Sequence, residues 1–342
     1  MKKSAYRKTI ALIFSVVLII ICSTGCSKKE NPIKFPQGSF PDTVISLASI
    51  NSPFDDYNSS LLYQLAGSTP IIFSSNRNSS GGQFDLVQAN IAFTFDQTNG
   101  AFQQVASITA DPFLNKLINK AITPENDFGP YRFYSPIDGY EYLLLSSVNS
   151  LGNLDLVYLR NRPVNGSILP DVEGPFPIKL LNTSFDDGYL CLDTNLDTLT
   201  STYSVYFTSN RNGNFDIFQE KRPSQKDFAS WFNLDFKASA VVDSVNSSSD
   251  DKCPFVYKKV MVFTSNRPGG LGGYDLYYSI LRNGKWSSPI NFGPGINSSS
   301  DEYRPIIGNL TDFTNSYLIF SSNRPGGKGG YDLYFTGVDF PK

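Results

Sequence analysis

The chain contains no histidine in 342 residues. Histidine-based nucleophile triads and the commonest zinc sites are therefore excluded. Cysteine is scarce, with only Cys22, Cys26, Cys191 and Cys253. Glutamate is sparse beyond residue 38, where Glu125, Glu141, Glu173, Glu220 and Glu302 are the full set. Positive charge is not in excess, since 29 Lys+Arg stand against 31 Asp+Glu. No apolar run reaches the roughly 20 residues of a membrane-spanning helix. The longest, Ile10 to Ile21, has 12.

What surrounds that short run is informative. Lys2, Lys3, Arg7 and Lys8 precede it without an acid, and Ser23-Thr24-Gly25 and then Cys26 follow it. A basic head, a short apolar core and small residues make the pattern of a secretory signal peptide. Its end resembles a bacterial lipobox, with Ser23 where Leu is usual. The resemblance implies cleavage before Cys26 and lipid attachment at Cys26, and several acyl chains on one residue hold a protein durably at a membrane. The expected organisation is a lipoprotein signal peptide at 1–25, a polar tether at 26–38 and one folded domain at 39–342. The expected location is the cell envelope, at the outer membrane. Removing residues 1–25 leaves 25 Lys+Arg against 31 Asp+Glu, a net charge of −6. Nucleic acid and anionic lipid surfaces are poor partners for such a body. Exported chains can form disulfides. Cys191 and Cys253 fall in neighbouring repeats that need not bring them within bonding distance, so two separate buried thiols are expected.

A fixed internal period decides the architecture. Phe263-Thr264-Ser265-Asn266-Arg267-Pro268-Gly269-Gly270 through Tyr274-Asp275-Leu276-Tyr277 recurs as Phe320-Ser321-Ser322-Asn323-Arg324-Pro325-Gly326-Gly327 through Tyr331-Asp332-Leu333-Tyr334, at an offset of 57 residues. The frame returns at Phe207 to Arg211 with Asp216, and at Phe73 to Arg77 with Asp85. A degenerate copy at Leu145 to Asn149 carries Asp155. An acidic pair precedes each copy. Asn51 through Asp55-Asp56 matches Asn182 through Asp186-Asp187, Asn246 through Asp250-Asp251 and Asn297 through Asp301-Glu302, with Glu125-Asn126-Asp127 as the weak version. A third marker is an aromatic ahead of a short strand: Phe40, Phe102, Phe176, Trp231 and Trp286.

These residues resemble the TolB-type, WD-like β-propeller repeat family over residues 40 to 338. The resemblance implies an all-β fold, a single five-bladed propeller, acting through protein contacts in the bacterial envelope. The chemistry of the runs agrees. Short stretches of Ile, Val, Leu, Phe and Tyr alternate with Gly, Asn, Asp, Ser and Pro, as strands alternate with turns. The runs are apolar on both faces, which a blade packed between two others requires. The glycine pairs at 269–270, 272–273, 326–327 and 329–330 are expected to supply positive φ in the turn between the second and third strands. The chain stops after the third strand of the fifth repeat. Phe40 lies 11 residues before Asn51, as Trp286 does before Asn297. Residues 40–50 therefore read as the outer strand of the last blade, closing the ring.

The repeated charges are expected to build blades: Asn76, Arg77, Asp85, Asp155, Asn210, Arg211, Asp216, Asn266, Arg267, Asp275, Asn323, Arg324 and Asp332. An arginine offers five donors in a fixed fork that a nearby acid and turn carbonyls can satisfy. The acidic pairs are expected to ring the channel mouth. The segment 193–197 starts like a calcium loop but lacks its central Gly and closing Glu. No cofactor, metal or catalytic residue is expected. The insertion 110–122 has helical spacing. Phe113, Leu114, Lys116, Leu117 and Lys120 are its candidate binding residues, either presented to a partner or capping the channel. The leading expectation is a non-catalytic, monomeric, protein-binding or scaffold propeller whose partner is an envelope protein or a glycan. The alternatives are a carbohydrate-binding surface lipoprotein and, ranked last, a five-bladed glycosidase, which would need a carboxylate pair in the channel.

Replacing Cys26 with Ala should abolish metabolic labelling by fatty acid and move the protein from the detergent phase to the aqueous phase. A mutant that is still labelled and still partitions with detergent would show that Cys26 carries no lipid.

Overall fold

Each blade begins where a carboxylate follows a serine- or threonine-containing turn. The computed structural model describes residues 32–61, 68–162, 171–193, 203–223 and 226–341. The signal segment, Cys26, the start of the tether and all but Asp193 of the segment 193–197 lie outside the described residues. The strands form five antiparallel sheets. Their inner strands are Asp56–Leu61, Asp127–Ser135, Asp187–Leu192, Asp251–Tyr257 and Glu302–Asn309. Each inner strand touches those of the blades before and after it, and the fifth touches the first. The chain is thus a closed five-bladed β-propeller.

The second strands, Thr69–Ser75, Tyr140–Val148, Ser204–Ser209, Val260–Ser265 and Ser316–Ser322, are buried along almost their whole length. Both faces of each blade pack on a neighbour, so alternation of apolar and polar residues disappears. The third strands start at Asp85, Leu154, Asp216, Asp275 and Asp332. The outer strands are Phe102–Ser107, Glu173–Pro177, Ala240–Val241, the pair Lys285–Trp286 and Ile290–Asn291, and Ile45–Ser46.

That last strand closes the ring as the 11-residue spacing predicts. Ile45 pairs with Phe335 and Ser46 with Tyr334. The Leu47 amide donates to the Leu333 carbonyl at 2.9 Å. Phe40 stacks on Phe313 with centroids 4.0 Å apart, and Phe40, Leu47 and Ile50 are buried. Cys191 and Cys253 are free and buried, as expected.

Three expectations need correction. The glycine pairs do not all supply positive φ. Gly269 and Gly326 do, whereas Gly272 and Gly329 are glycine because a methyl group there would overlap the Ser300 and Phe54 carbonyls of the adjoining blade. Trp231 does not lead into a strand. It lies in a short helix, Phe228–Phe232, with its ring buried beside Phe228 and Phe232. The insertion forms a helix, α1, over Pro112–Ala121, capped by the Asp111 carboxylate on the Leu114 amide. It packs on the third strands of blades 1 and 2 and the outer strand of blade 2 and does not cap the channel.

Deleting residues 40–50 should lower the melting temperature on the order of 10 °C or more, because three large buried side chains and one edge pairing go with it. Deleting 27–33, ahead of the Lys34 and Phe35 amides that bond to Gln97, should leave it unchanged. Equal loss from both deletions would contradict the closure.

Candidate functional site

A carboxylate without water must find donors or lose its charge. Asp56, Asp187, Asp251 and Glu302 open their inner strands fully buried, and each finds the same set. The arginine of its own blade pairs with it: Arg77 with Asp56 at 2.5 Å, Arg267 with Asp251 at 2.5 Å, Arg324 with Glu302 at 2.8 Å, and Arg211 with Asp187. Each arginine also donates to a carbonyl 2.6–2.8 Å away, on Ile50, Leu181, Val245 or Ile296. Its Nε bonds the serine that ends the second strand. The amides of Ser52, Thr183, Ser247 and Ser298 complete the carboxylates at 2.5–2.9 Å. These acids therefore sit inside the blades and do not ring the mouth.

The first member of each pair works between blades. Asp55, Asn126, Asp186, Asp250 and Asp301 accept the amides of Tyr331, Phe84, Leu154, Phe215 and Tyr274 at 2.7–3.0 Å. Asn76, Asn210, Asn266 and Asn323 brace Asp55, Asp186, Asp250 and Asp301 through the backbone amide. The aspartates that open or adjoin the third strands face their own turns. Asp155 and Asp216 take asparagine amides, Asp85 takes Gln83, Asp275 takes the Leu271 and Gly272 amides, and Asp332 takes Lys328 and Gly329.

Blade 2 departs from this plan. Its turn reads Val148-Asn149, so Asp127 has no arginine. Asp127 is fully buried and, among the described residues, accepts only the Thr123 amide at 2.8 Å, Ser147 Oγ at 2.8 Å and Thr123 Oγ1 at 3.3 Å. Burial pushes its carboxyl up to about 6. The α1 helix fills the same junction. Leu114 and Leu117 are buried with Ile118 against Ile72, Leu86, Leu143, Leu145 and Leu159, with Phe113 packed at the edge. The apolar residues expected to meet a partner are thus spent on joining two blades. Lys116 pairs with Asp171 at 3.2 Å, and Lys120 is exposed.

The mouth carries a feature that the sequence motifs did not single out as a site. Tyr57, Phe128 and Tyr303 follow the buried acids of blades 1, 2 and 5, and Phe84, Phe215, Tyr274 and Tyr331 precede the third-strand aspartates. All seven are half-buried. Tyr57 lies 5.0 Å from Phe84, 5.9 Å from Phe128 and 5.6 Å from Tyr331, and Tyr303 lies 5.5 Å from Tyr274. They form a collar of aromatic faces. On the blade 3 side, Gly188 takes the place of a ring. Lys252 completes the circuit, with its Nζ 4.0 Å from the Phe215 centroid and 3.3 Å from Asp250. Two carboxylates bond to the collar's hydroxyls: Tyr274 donates to Asp250 at 2.8 Å and Tyr331 to Asp301 at 3.1 Å. Against the upward push of burial, the Phe215 amide, Tyr274 and Lys252 hold Asp250 below its ordinary range. Burial raises Tyr57, Tyr274, Tyr303 and Tyr331, so all four stay neutral hydroxyls. Beneath the collar, burial pushes the Cys253 thiol up to about 11 and Cys191 up to about 12, so neither is a nucleophile at neutral pH.

No family model and no curated protein matches the chain. Solved structures do. The alpha-L-arabinofuranosidase from Podospora anserina in complex with cellotriose superposes with a TM-score of 0.51 at 9% identity, over 91% of this chain and 99% of its own. The exo-beta-1,3-galactanase from Phanerochaete chrysosporium with beta-1,3-galactotriose gives 0.52 at 13% identity, over 87% and 65%. A GH43_1 enzyme from Xanthomonas citri complexed with xylotriose gives 0.52 at 10%, over 88% and 91%. At these identities the likeness is one of fold. It overturns the expectation of a non-catalytic scaffold, and with it the expectation that the chain is not an enzyme. That reading ranked a five-bladed glycosidase last, and the folded chain superposes on these enzymes.

Asp127 gives a pH test. Its folded carboxyl, raised from 3.8 to about 6, binds a proton more tightly than in the unfolded chain. Stability is therefore highest below about pH 4 for this group and falls as pH rises through 6, by on the order of 2–3 kcal/mol. Asp127→Asn keeps an oxygen for the Thr123 amide and should flatten that fall in the melting temperature. An unchanged pH profile would refute the assignment.

Proposed function

We propose that this protein is a carbohydrate-active propeller that takes a glycan at the aromatic collar and hydrolyses its glycosidic bonds. The collar is the observation that carries the reading. Sugar rings present C–H bonds on one face, which the negative face of an aromatic ring attracts, and hydroxyls at their edges, which tyrosine hydroxyls and carboxylates can bond. Glycoside hydrolysis uses two carboxylates. Asp250, held ionised, suits the base or nucleophile. Asp301, one blade on and joined to Asp250 through Tyr274, is the second carboxylate of the same chain of contacts. The superposed enzymes support the choice, since they were solved with cellotriose, beta-1,3-galactotriose and xylotriose. The signal segment, Cys26 and the TolB-like repeat support placing this activity at the cell envelope on a lipid anchor.

The test is a panel of xylo-, gluco-, arabino- and galacto-oligosaccharides, followed by product release and by tyrosine fluorescence. Binding of at least one sugar is expected, weakened about tenfold in Tyr57→Ala or Tyr303→Ala. Turnover should be lost in Asp250→Asn with the affinity retained. If no sugar binds and none is cleaved, the proposal falls.

A further inference from the structure

Two residues beyond the leading acid, every inner strand turns through the left-handed region: Asn58, Gly129, Tyr189, Cys253 and Arg304 have φ between 49° and 58°. Four of the amides at this rank are taken by hydroxyls of a neighbouring blade. Asn58 donates to Ser321, Tyr189 to Ser146, Cys253 to Thr208 and Arg304 to Thr264, at 2.8–3.2 Å. The backbone is therefore fixed here, and the side chains cross the axis. Arg304 Nη2, from blade 5, reaches the Gly129 and Pro130 carbonyls of blade 2 at 3.4 and 3.3 Å. Its guanidinium lies 5.6 Å from the Tyr189 ring centroid.

The arginines of the repeat each have an acid. Arg304 is fully buried and has no ion pair among the described residues. Among the described residues its Nε and Nη1, and Nδ2 and Oδ1 of the equally buried Asn58, have no partner of ordinary hydrogen-bond geometry; looser contacts reach them from Cys253 to the guanidinium and from Tyr189 to the Asn58 side chain. The titratable groups that its charge lowers, Tyr189, Cys191 and Cys253, are themselves neutral because burial raises them. A lone buried ion is strongly unfavourable, and a guanidinium cannot escape by losing its proton. A counter-charge would meet both the bare donors and the charge. We infer that the propeller axis binds one small monovalent anion, a halide or a carboxylate, between the Arg304 guanidinium and the Asn58 amide. One guanidinium sets the charge. The size is set by the tight packing at this rank, where even a methyl group on Gly129 would come within 2.6 Å of Tyr189. The carboxylate can be that of an acidic sugar entering through the collar, which lies directly above.

The test uses sodium bromide and sodium glucuronate, with glucose as the uncharged control. Crystals of the wild-type protein grown in bromide should show an anomalous peak within hydrogen-bonding distance of Arg304. The melting temperature should rise about 2–4 °C for each tenfold increase of bromide above its dissociation constant, and Arg304→Met should lose that rise. If Arg304→Met does not fold, Asn58→Leu and the wild-type map still decide. Displacement of the bromide peak by glucuronate and not by glucose identifies the ligand as the sugar's carboxylate. A bromide peak that glucuronate leaves in place identifies a free halide. No peak beside Arg304 in either salt, with parallel melting responses in wild type and variant, overturns the inference. These readouts use no turnover, so they stand apart from the test of hydrolysis.

Discussion

The fold depends on a carboxylate that has been taken out of water. Each inner strand opens with one, and a buried acid is tolerable only when its lone pairs are filled. In four blades an arginine from the same blade, a serine or threonine hydroxyl and a turn amide fill them. That one requirement pins the start of the first strand to the end of the second and fixes the turn between the second and third. It also ties the loop entering the blade to that turn, because the same guanidinium caps a carbonyl of the loop. A change to either partner leaves the other charge buried and alone, which is the costly outcome for such pairs.

Between blades the requirement is different, and an amide side chain meets it. Asn51, Asn182, Asn246 and Asn297 each bond both the amide and the carbonyl of one third-strand residue in the preceding blade, at 2.8–3.0 Å. The asparagine thus imitates one more rung of sheet across the gap. At the junction of blades 1 and 2 this asparagine is missing, and blade 2 has also lost its arginine. The α1 helix stands there instead, adding apolar contact between the two blades where the other junctions carry the asparagine. The insertion and the degenerate repeat meet at one junction, where a different interaction stands in for the asparagine.

How much was legible follows from which positions repeat. The blades and the closing strand could be read because they depend on residue types that recur at a fixed spacing. The helix was legible as a helix, but its apolar side could not be assigned from spacing alone, since a partner and a neighbouring blade ask for the same pattern. The two ranks that face the axis were missed. Tyr57, Phe128, Gly188, Lys252 and Tyr303 occupy one repeat position, and Asn58, Gly129, Tyr189, Cys253 and Arg304 the next. Neither rank has a consensus. In a chain that is 14% aromatic, the rings at the first looked like packing. At the second, a glycosidase asks for a carboxylate pair in the channel, while the off-pattern charge is the base Arg304.

Variation at a position inside a regular repeat is itself a physical signal. In a ring of blades, positions that touch the neighbouring blade see nearly the same surroundings five times, so one residue type serves them all. Positions that touch the axis see each other, and five identical side chains cannot share one small space. Five arginines there would repel, and five tyrosines would not fit. The axis must therefore be built from unlike residues, and unlike residues give the mouth an asymmetric surface: rings on blades 1, 2 and 5, a gap at Gly188, a cation at Lys252. Asymmetry is what a ligand with one orientation requires. The symmetric part of the sequence specifies the propeller, and the ranks where symmetry is sterically forbidden are where a site has room to be specific.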